Sequence, residues 1–246
     1  MYTISGFTIV RNAIRYDYPF RESIRSLLPL VDELVIAVGD SCDGTLDAIR
    51  DIESPKIRIL ETVWDPNLRK GGAVLAQQTN LALQACQGEW CFYLQADEVL
   101  HENDADRIHQ AMLKNFKSRH VDGLSFRYRH FCCDYSIIDP LPYRRQVRIV
   151  RNCRGIESVG DACGFDKPNS PLRIKSCGAC VYHYGYVRPP DTLAMKTCYF
   201  ESLYNDGAIE PGSEPVVGAF VFNLSRCQRF MGTHPACMSE RIQNKS

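Results

Sequence analysis

Strand-like and helix-like stretches alternate through the first hundred residues, and few folds accept that pattern. Ile4 to Val10 reads as an apolar strand, and the stretch after Pro19 puts Ile24, Leu27 and Leu28 on one helical face. Glu33 to Val38 is a second strand, ended by the turn-rich loop Gly39-Asp40-Ser41-Cys42-Asp43-Gly44-Thr45, which feeds a helix over Leu46 to Ile52. Lys56 to Glu61 is a third strand. Gly71-Gly72 opens a helix running to about Cys86 and stopped by Gly88, and Glu89 to Leu94 is the fourth strand. Such repetition predicts an α/β fold with a mostly parallel central sheet, helices on both faces, and ligands at the carboxyl ends of the strands. The loops after Val10, Val38 and Leu94 are therefore where a site is expected. Further on, the pattern predicts a helix from about Asn103 to Lys117, strands over Gly123 to Tyr128 and Gln146 to Arg151, and a helix over Thr192 to Tyr204. Ile156 to Arg188 shows no clear period.

The length of 246 residues suits one such domain with a small appendage. Twenty-nine basic and 29 acidic residues balance, so neither nucleic acid nor an anionic membrane is an expected partner. No apolar run approaches the roughly 20 residues of a bilayer-spanning helix. Met1 to Arg11 lacks the parts of a secretory leader, so a cytoplasmic protein is expected, with its 12 cysteines as reduced thiols. In that setting the glycan-acceptor patterns at Asn223 and Asn244 carry no weight. Cys177 and Cys180 have zinc-ligand spacing but lack a second pair at a matching distance.

The strongest local signal is Phe92-Tyr93-Leu94-Gln95-Ala96-Asp97-Glu98, an apolar strand running into two adjacent carboxylates. Carboxylates so placed either hold a hard divalent cation, which shares its shell with substrate phosphates, or cap the following helix. The wider pattern bears on that choice. The acidic loop from Gly39 to Thr45, then Asn80, then Gly88, then Gln95-Ala96-Asp97-Glu98 stand in one order, with Asn80 eight residues before Gly88. Over about residues 4 to 105 the chain resembles the family-two glycosyltransferases, in which comparable motifs end in Asp-x-Asp.

The resemblance implies a GT-A-like fold: a catalytic domain over residues 1–190, with a nucleotide-sugar-binding part of about 1–105 and an acceptor-side part of about 106–190, then a helical extension over 191–246. It implies a nucleotide-sugar donor and Mn²⁺ or Mg²⁺ held by Asp97, the counterpart of the motif's second acid. Asp40 matches a donor-loop acid, while Asp43 suits the cap of the helix beginning near Thr45. Arg69 and Lys70 lie where the family places a basic residue near the donor, although a solvated basic loop reads equally well. Two departures stand out. Gln95 replaces the first acid, with Glu98 one residue away from Asp97 as a substitute metal ligand, and Thr79 stands where an Arg is frequent.

Inverting transfer needs a base for the acceptor hydroxyl. In the family it is an acid downstream of the metal motif, and Asp161, between Gly160 and Ala162, is the candidate, with a simple turn carboxylate as the alternative. Val181-Tyr182-His183-Tyr184-Gly185-Tyr186-Val187-Arg188 supplies rings for sugar faces, a guanidinium for phosphate, and His183, either a further metal ligand or a satisfied polar core residue. The expected activity is thus metal-dependent, inverting transfer of a sugar to a glycan or lipid-linked glycan, as in polysaccharide biosynthesis. The rivals are a sugar-phosphate nucleotidyltransferase, which normally shows a glycine-rich loop after the first strand, and a nucleotide-sugar-binding relative without turnover, motivated by Gln95.

Overall fold

The computed structural model describes residues 2–68, 70–118, 120–140, 142–152, 154–168, 170–204 and 224–245. Its strands are β1 (Ile4–Val10), β2 (Glu33–Val38), β3 (Ile57–Glu61), β4 (Trp90–Tyr93), β5 (Glu98–Leu100), β6 (Gly123–Cys132), β7 (Ile137–Asp139), β8 (Arg145–Arg151), β9 (Glu157–Val159), β10 (Gly164–Asp166) and β11 (Ile174–Tyr186). Its helices are α1 (Phe20–Leu27), α2 (Thr45–Arg50), α3 (Ala73–Gln84), α4 (Ala105–Phe116), α5 (Pro190–Tyr204) and the short α6 (Ser239–Gln243).

The expected α/β class is observed. Strands β3, β2, β1 and β4 form a parallel block in that spatial order, and strands consecutive in the chain are joined by helical connections. Beyond β4 the sheet turns antiparallel: β8 pairs β4, then β6 pairs β8, and β11 runs parallel to β6 while its other edge takes the short β5 antiparallel. Residues 228–229 add a bridge to β7, and β9 and β10 make a separate hairpin.

Side chains alternate across the parallel block. Leu34, Ile36 and Val38 of β2 pack with Phe20, Ile24 and Leu27 of α1 and Ile108 and Met112 of α4 on one face. Val35 and Ala37 pack with Val74, Leu75, Ala82 and Leu83 of α3 on the other. A strand covered on both sides must be apolar at every position, which is why β2 shows no polar alternation. Each buried aliphatic side chain here contributes roughly 1.5–3 kcal/mol to the fold. A third cluster, centred on Phe131, Tyr182, Tyr184 and Phe230, ties the segment after residue 224 to β6 and β11.

Element boundaries differ from the sequence reading by a residue or two, except in β6 and β11. Strand β6 extends to Cys132, and the stretch without a period contains the 13-residue β11, the second-longest element of the described chain after α5. Its inner half is buried on both faces, and its pairing with β6 shifts register between Ser176 and Cys180. No simple alternation survives both effects. Among the described residues no helix is long and apolar enough to cross a membrane.

Candidate active site

A cavity of about 500 Å³ opens at the carboxyl ends of the parallel strands. The ends of β1 and β4, the β9–β10 turn, β11 and helix α5 all contribute to its wall, and Asp97, Asp161, His183 and Lys196 line it together. Its size suits a small organic ligand, and its position is the one open α/β sheets use for binding.

Asp97 follows β4 and is 6% exposed. Its Oδ2 accepts from Lys196 Nζ at 3.1 Å, its Oδ1 lies 3.7 Å from His183 Nε2, and Arg188 Nη2 stands 4.0 Å from Oδ2. Burial pushes the carboxyl pKa up, but Lys196, His183 and Arg188 outweigh it and hold Asp97 well below the usual carboxylate range. The Asp97 carbonyl accepts from the Tyr184 N–H at 2.8 Å, and β5 pairs β11 with Glu98 opposite His183. This pairing sets Asp97 beside the imidazole. Gly185 lies against both side chains: a Cβ there would stand 2.5 Å from His183 Cε1 and Nε2 and 3.0 Å from Asp97 Oδ2, so only glycine leaves room for the imidazole and the carboxylate at this point.

The His183 tautomer follows from its neighbours. His130 Nε2 lies 2.9 Å from the Tyr143 carbonyl, which only accepts, so that nitrogen carries the proton. Burial lowers the His130 pKa and keeps the ring neutral, leaving its Nδ1 as an acceptor. The 3.0 Å contact between His130 Nδ1 and His183 Nδ1 is then donated by His183. The His183 Nε2 lone pair is thus free on the Asp97 side. Burial, with His130 adding to it and Asp97 opposing, pushes the His183 pKa down to about 4, so the ring is neutral near pH 7.

A lone pair beside a carboxylate is a place for a cation. Two metal–ligand bonds of about 2.1 Å reach across the 3.7 Å between Nε2 and Oδ1. No group of three or more His, Cys, Asp or Glu among the described residues could hold a metal alone. Mg²⁺ and Mn²⁺ do not require one, since they keep waters and take substrate phosphates. Asp97 Oδ1 and His183 Nε2 fit such an ion.

Glu98 does not fit. It is fully buried, its Oε2 and Oε1 accept from Arg148 Nε at 2.8 Å and Nη2 at 2.7 Å, and Tyr128 Oη and the Gln95 N–H donate as well. With both oxygens engaged by a guanidinium fork and no share in the cavity wall, Glu98 is a structural counter-ion, and the expectation that it replaces the missing acid as a metal ligand is corrected. Gln95 lines the cavity and points its amide toward the Ala162 carbonyl at 3.5 Å.

Asp161 sits in the β9–β10 turn, with Oδ2 accepting from Tyr204 Oη at 2.8 Å and Oδ1 from the Cys163 N–H at 3.1 Å. Asn80 of α3 fixes this hairpin, donating to the Ser158 carbonyl at 3.0 Å and accepting from the Ser158 N–H at 2.7 Å. Gly72, at φ +74°, lies so close to Asp161 that a Cβ would come within 3.0 Å of the Asp161 Cβ. Gly72 therefore admits the Asp161 turn.

Asp40 is half-exposed and outside the cavity wall. Its Oδ2 pairs with Arg11 Nη2 at 3.0 Å and its Oδ1 accepts from the Trp64 N–H at 3.2 Å. Arg11 does line the cavity, lying over the Trp64 ring at 5.2 Å and donating to Tyr199 Oη at 2.9 Å. Asp43 stands one residue before Gly44, the N-cap of α2, and accepts from the Thr45 N–H at 3.1 Å. Lys70 is exposed on the turn before α3, and Arg69 lies outside the described residues.

The sequence predicts helix α5 but not the side chains it brings to the site. Lys196, Tyr199 and Tyr204 reach Asp97, Arg11 and Asp161 respectively. One signal was present: Lys196 is the lone basic residue in the helix PDTLAMKTCYFESLY. Nothing local in the sequence marks His130 as the partner of a histidine 53 residues away.

No family model matches the chain, and no curated protein matches it. Solved structures with a similar fold include Staphylococcus aureus TarS 1-349 in complex with UDP-GlcNAc, at 16% identity and TM-score 0.47, covering 78% of this chain and 60% of that one. Glucosyl-3-phosphoglycerate synthase from Mycobacterium tuberculosis, in complex with Mn²⁺, UDP and phosphoglyceric acid, is similar at 16% identity and TM-score 0.45, over 82% of this chain and 77% of that one. The mannosyltransferase PcManGT from Pyrobaculum calidifontis, in complex with GDP-Man and Mn²⁺, is similar at 20% identity and TM-score 0.40, over 52% and 36%. The chain spans 39% to 64% of the length of the TarS chains it matches. At these identities the likeness is one of fold.

Proposed function

We propose that the chain is a metal-dependent glycosyltransferase that moves a sugar from a nucleotide-sugar donor to an acceptor hydroxyl with inversion. The observation that carries this reading is the meeting, in one cavity, of a strand-end carboxylate, a histidine lone pair held toward it, and an acid on a separate turn. Asp97 and His183 hold the cation. Once bound, Mn²⁺ or Mg²⁺ supplies Lewis-acid charge that offsets the negative charge growing on the departing nucleoside diphosphate.

Arg11, positioned by Asp40 and Trp64, binds the nucleotide portion at the ends of β1 and β2. Asp161 accepts the acceptor hydroxyl proton on a carboxylate oxygen, and Tyr204 orients that carboxylate by donating to Oδ2. Tyr143 and Tyr186, both in the cavity wall, offer ring faces to the sugar. The tyrosines in the cavity wall support a glycan or lipid-linked glycan as the acceptor.

The test is release of nucleoside diphosphate from a panel of UDP-, GDP- and dTDP-sugars, assayed with Mn²⁺ and with chelator. Metal-stimulated release, lost in Asp97→Asn, supports transfer. Donor binding without release in any condition would leave a silent binding relative, and thermal shifts with no donor at all would sink the reading.

A further inference from the structure

The side chain that meets Asp97 most closely is Lys196. Its Nζ donates to Asp97 Oδ2 at 3.1 Å and to the Gly185 carbonyl at 3.0 Å. The side chain is only 12% exposed, and the ammonium lies 4.9 Å from the Tyr18 ring centroid, 5.4 Å from Phe200 and 5.7 Å from Tyr186. An ammonium among three ring faces, with a carboxylate and a carbonyl as acceptors, is a built cation seat. Arg188 stands behind it: buried, over the Tyr18 ring at 4.8 Å, its Nη1 donating to the Tyr16 carbonyl, and its Nε and Nη2 without a hydrogen-bond partner among the described residues.

The charges in this corner do not balance. Asp97 contributes one negative charge against the positive charges of Lys196 and Arg188, and the neutral His183 adds none. A divalent ion added without other change would set four positive charges around one carboxylate, and a buried cation left without an anion is strongly unfavourable. Two consequences follow. The ion at Oδ1 and the lysine at Oδ2 compete for the charge of the one carboxylate, and whatever completes the site must bring negative charge.

We propose that Lys196 is the resident counter-cation of Asp97, that a divalent ion and the lysine are alternative partners of that carboxylate, and that the displaced lysine turns to the donor diphosphate. This rests on the transferase reading and adds a second task at the same site. Lys196 keeps the buried carboxylate neutralised when the cavity holds no donor, and it shares the diphosphate charge with the metal when the donor is present. The unpartnered Arg188 donors mark the same corner as one that lacks an anion.

The full chain and its Lys196→Gln and Lys196→Met variants are titrated with Mn²⁺ alone, followed by electron paramagnetic resonance. They are then titrated with UDP, GDP or dTDP in saturating Mn²⁺, followed by calorimetry. Lys196→Gln keeps a hydrogen-bond donor for Asp97 and guards against a variant that fails to fold, which thermal unfolding monitors. The expected result has opposite signs: Mn²⁺ alone binds at least about tenfold tighter in the variants, because a competing charge is gone, while the nucleoside diphosphate binds at least about tenfold weaker, because a phosphate partner is gone. Weakening of both, or unchanged Mn²⁺ affinity in a folded variant, overturns the proposal and leaves Lys196 a structural partner of Asp97. Failure of the unaltered chain to bind Mn²⁺ or any of the three nucleotides strikes the transferase reading itself, a separate outcome.

Discussion

Asp97→Asn is the most informative single change, because the structure gives it two effects that are measured separately. The pair it breaks stands at 3.1 Å, for which Coulomb attraction at an effective dielectric near 20 is about 5 kcal/mol before desolvation is subtracted. The fold need not lose that much. Burial, opposed by Asp97, already pushes the Lys196 pKa down to about 8, so the lysine can shed its proton once its counter-charge is gone. Deprotonation at about pH 7.5 costs roughly 0.7 kcal/mol at 1.36 kcal/mol per pKa unit. The poorer hydrogen bond to an amide oxygen costs about 1 kcal/mol more. The expected destabilisation is therefore about 2 kcal/mol, a fall in Tm of about 4–8 °C for a chain of this size. Differential scanning fluorimetry reads it, and the double variant Asp97→Asn/Lys196→Met supplies the control: removing the buried amine that has lost its counter-charge should recover at least half of the lost stability while turnover stays abolished. Stability losses that simply add in the double variant would show that Asp97 and Lys196 are not energetically coupled, and the charge argument for this corner would fail.

Three further outcomes are expected. Glu98→Gln leaves Arg148 buried without its counter-ion and should cost about 3–5 kcal/mol in urea unfolding; a loss under 1 kcal/mol would mean the pair is not structural. His130→Phe removes the acceptor that holds the His183 proton on Nδ1, and Mn²⁺ affinity should fall about 10- to 100-fold; an unchanged titration would refute the tautomer assignment. Hydrogen bonds from Arg173 hold Asp122 well below the usual carboxylate range, with Arg154 and Lys167 adding to them, so its folded pKa lies beneath its unfolded one. Its stabilisation is complete above the ordinary value of about 3.9 and fades as pH falls through that value toward the folded one, so the denaturation midpoint should drop from about pH 5 to 3 in the native chain and flatten in Asp122→Asn.

The first hundred residues disclosed their architecture because each element there carries its own local signal. β2 is continuously apolar, α1 shows a clean helical stripe, and the loop after Val38 is all turn formers. Asp97 was legible for the same reason, as an acid at the end of an apolar run. What stayed hidden depends on long-range pairing. Glu98 looked like a second ligand because its adjacency to Asp97 is visible, whereas Arg148, which engages it from β8, is 50 residues away. The tautomer of His183 depends on His130, and the proposed diphosphate corner depends on Lys196, 99 residues from Asp97. In each case a residue type was correctly noticed and its partner was not, since only the folded sheet brings the partners together.

The two-way amide clasp between Asn80 and Ser158 has a consequence for how this scaffold can change. The proposed proton acceptor takes its location from a helix of the opposite half of the chain, so the hairpin bearing it is moored rather than free-standing. Residues beyond that mooring can be rewritten to welcome new acceptors without dragging the reacting carboxylate off station. Cutting the mooring line itself, far from any bound sugar, should loosen every acceptor alike.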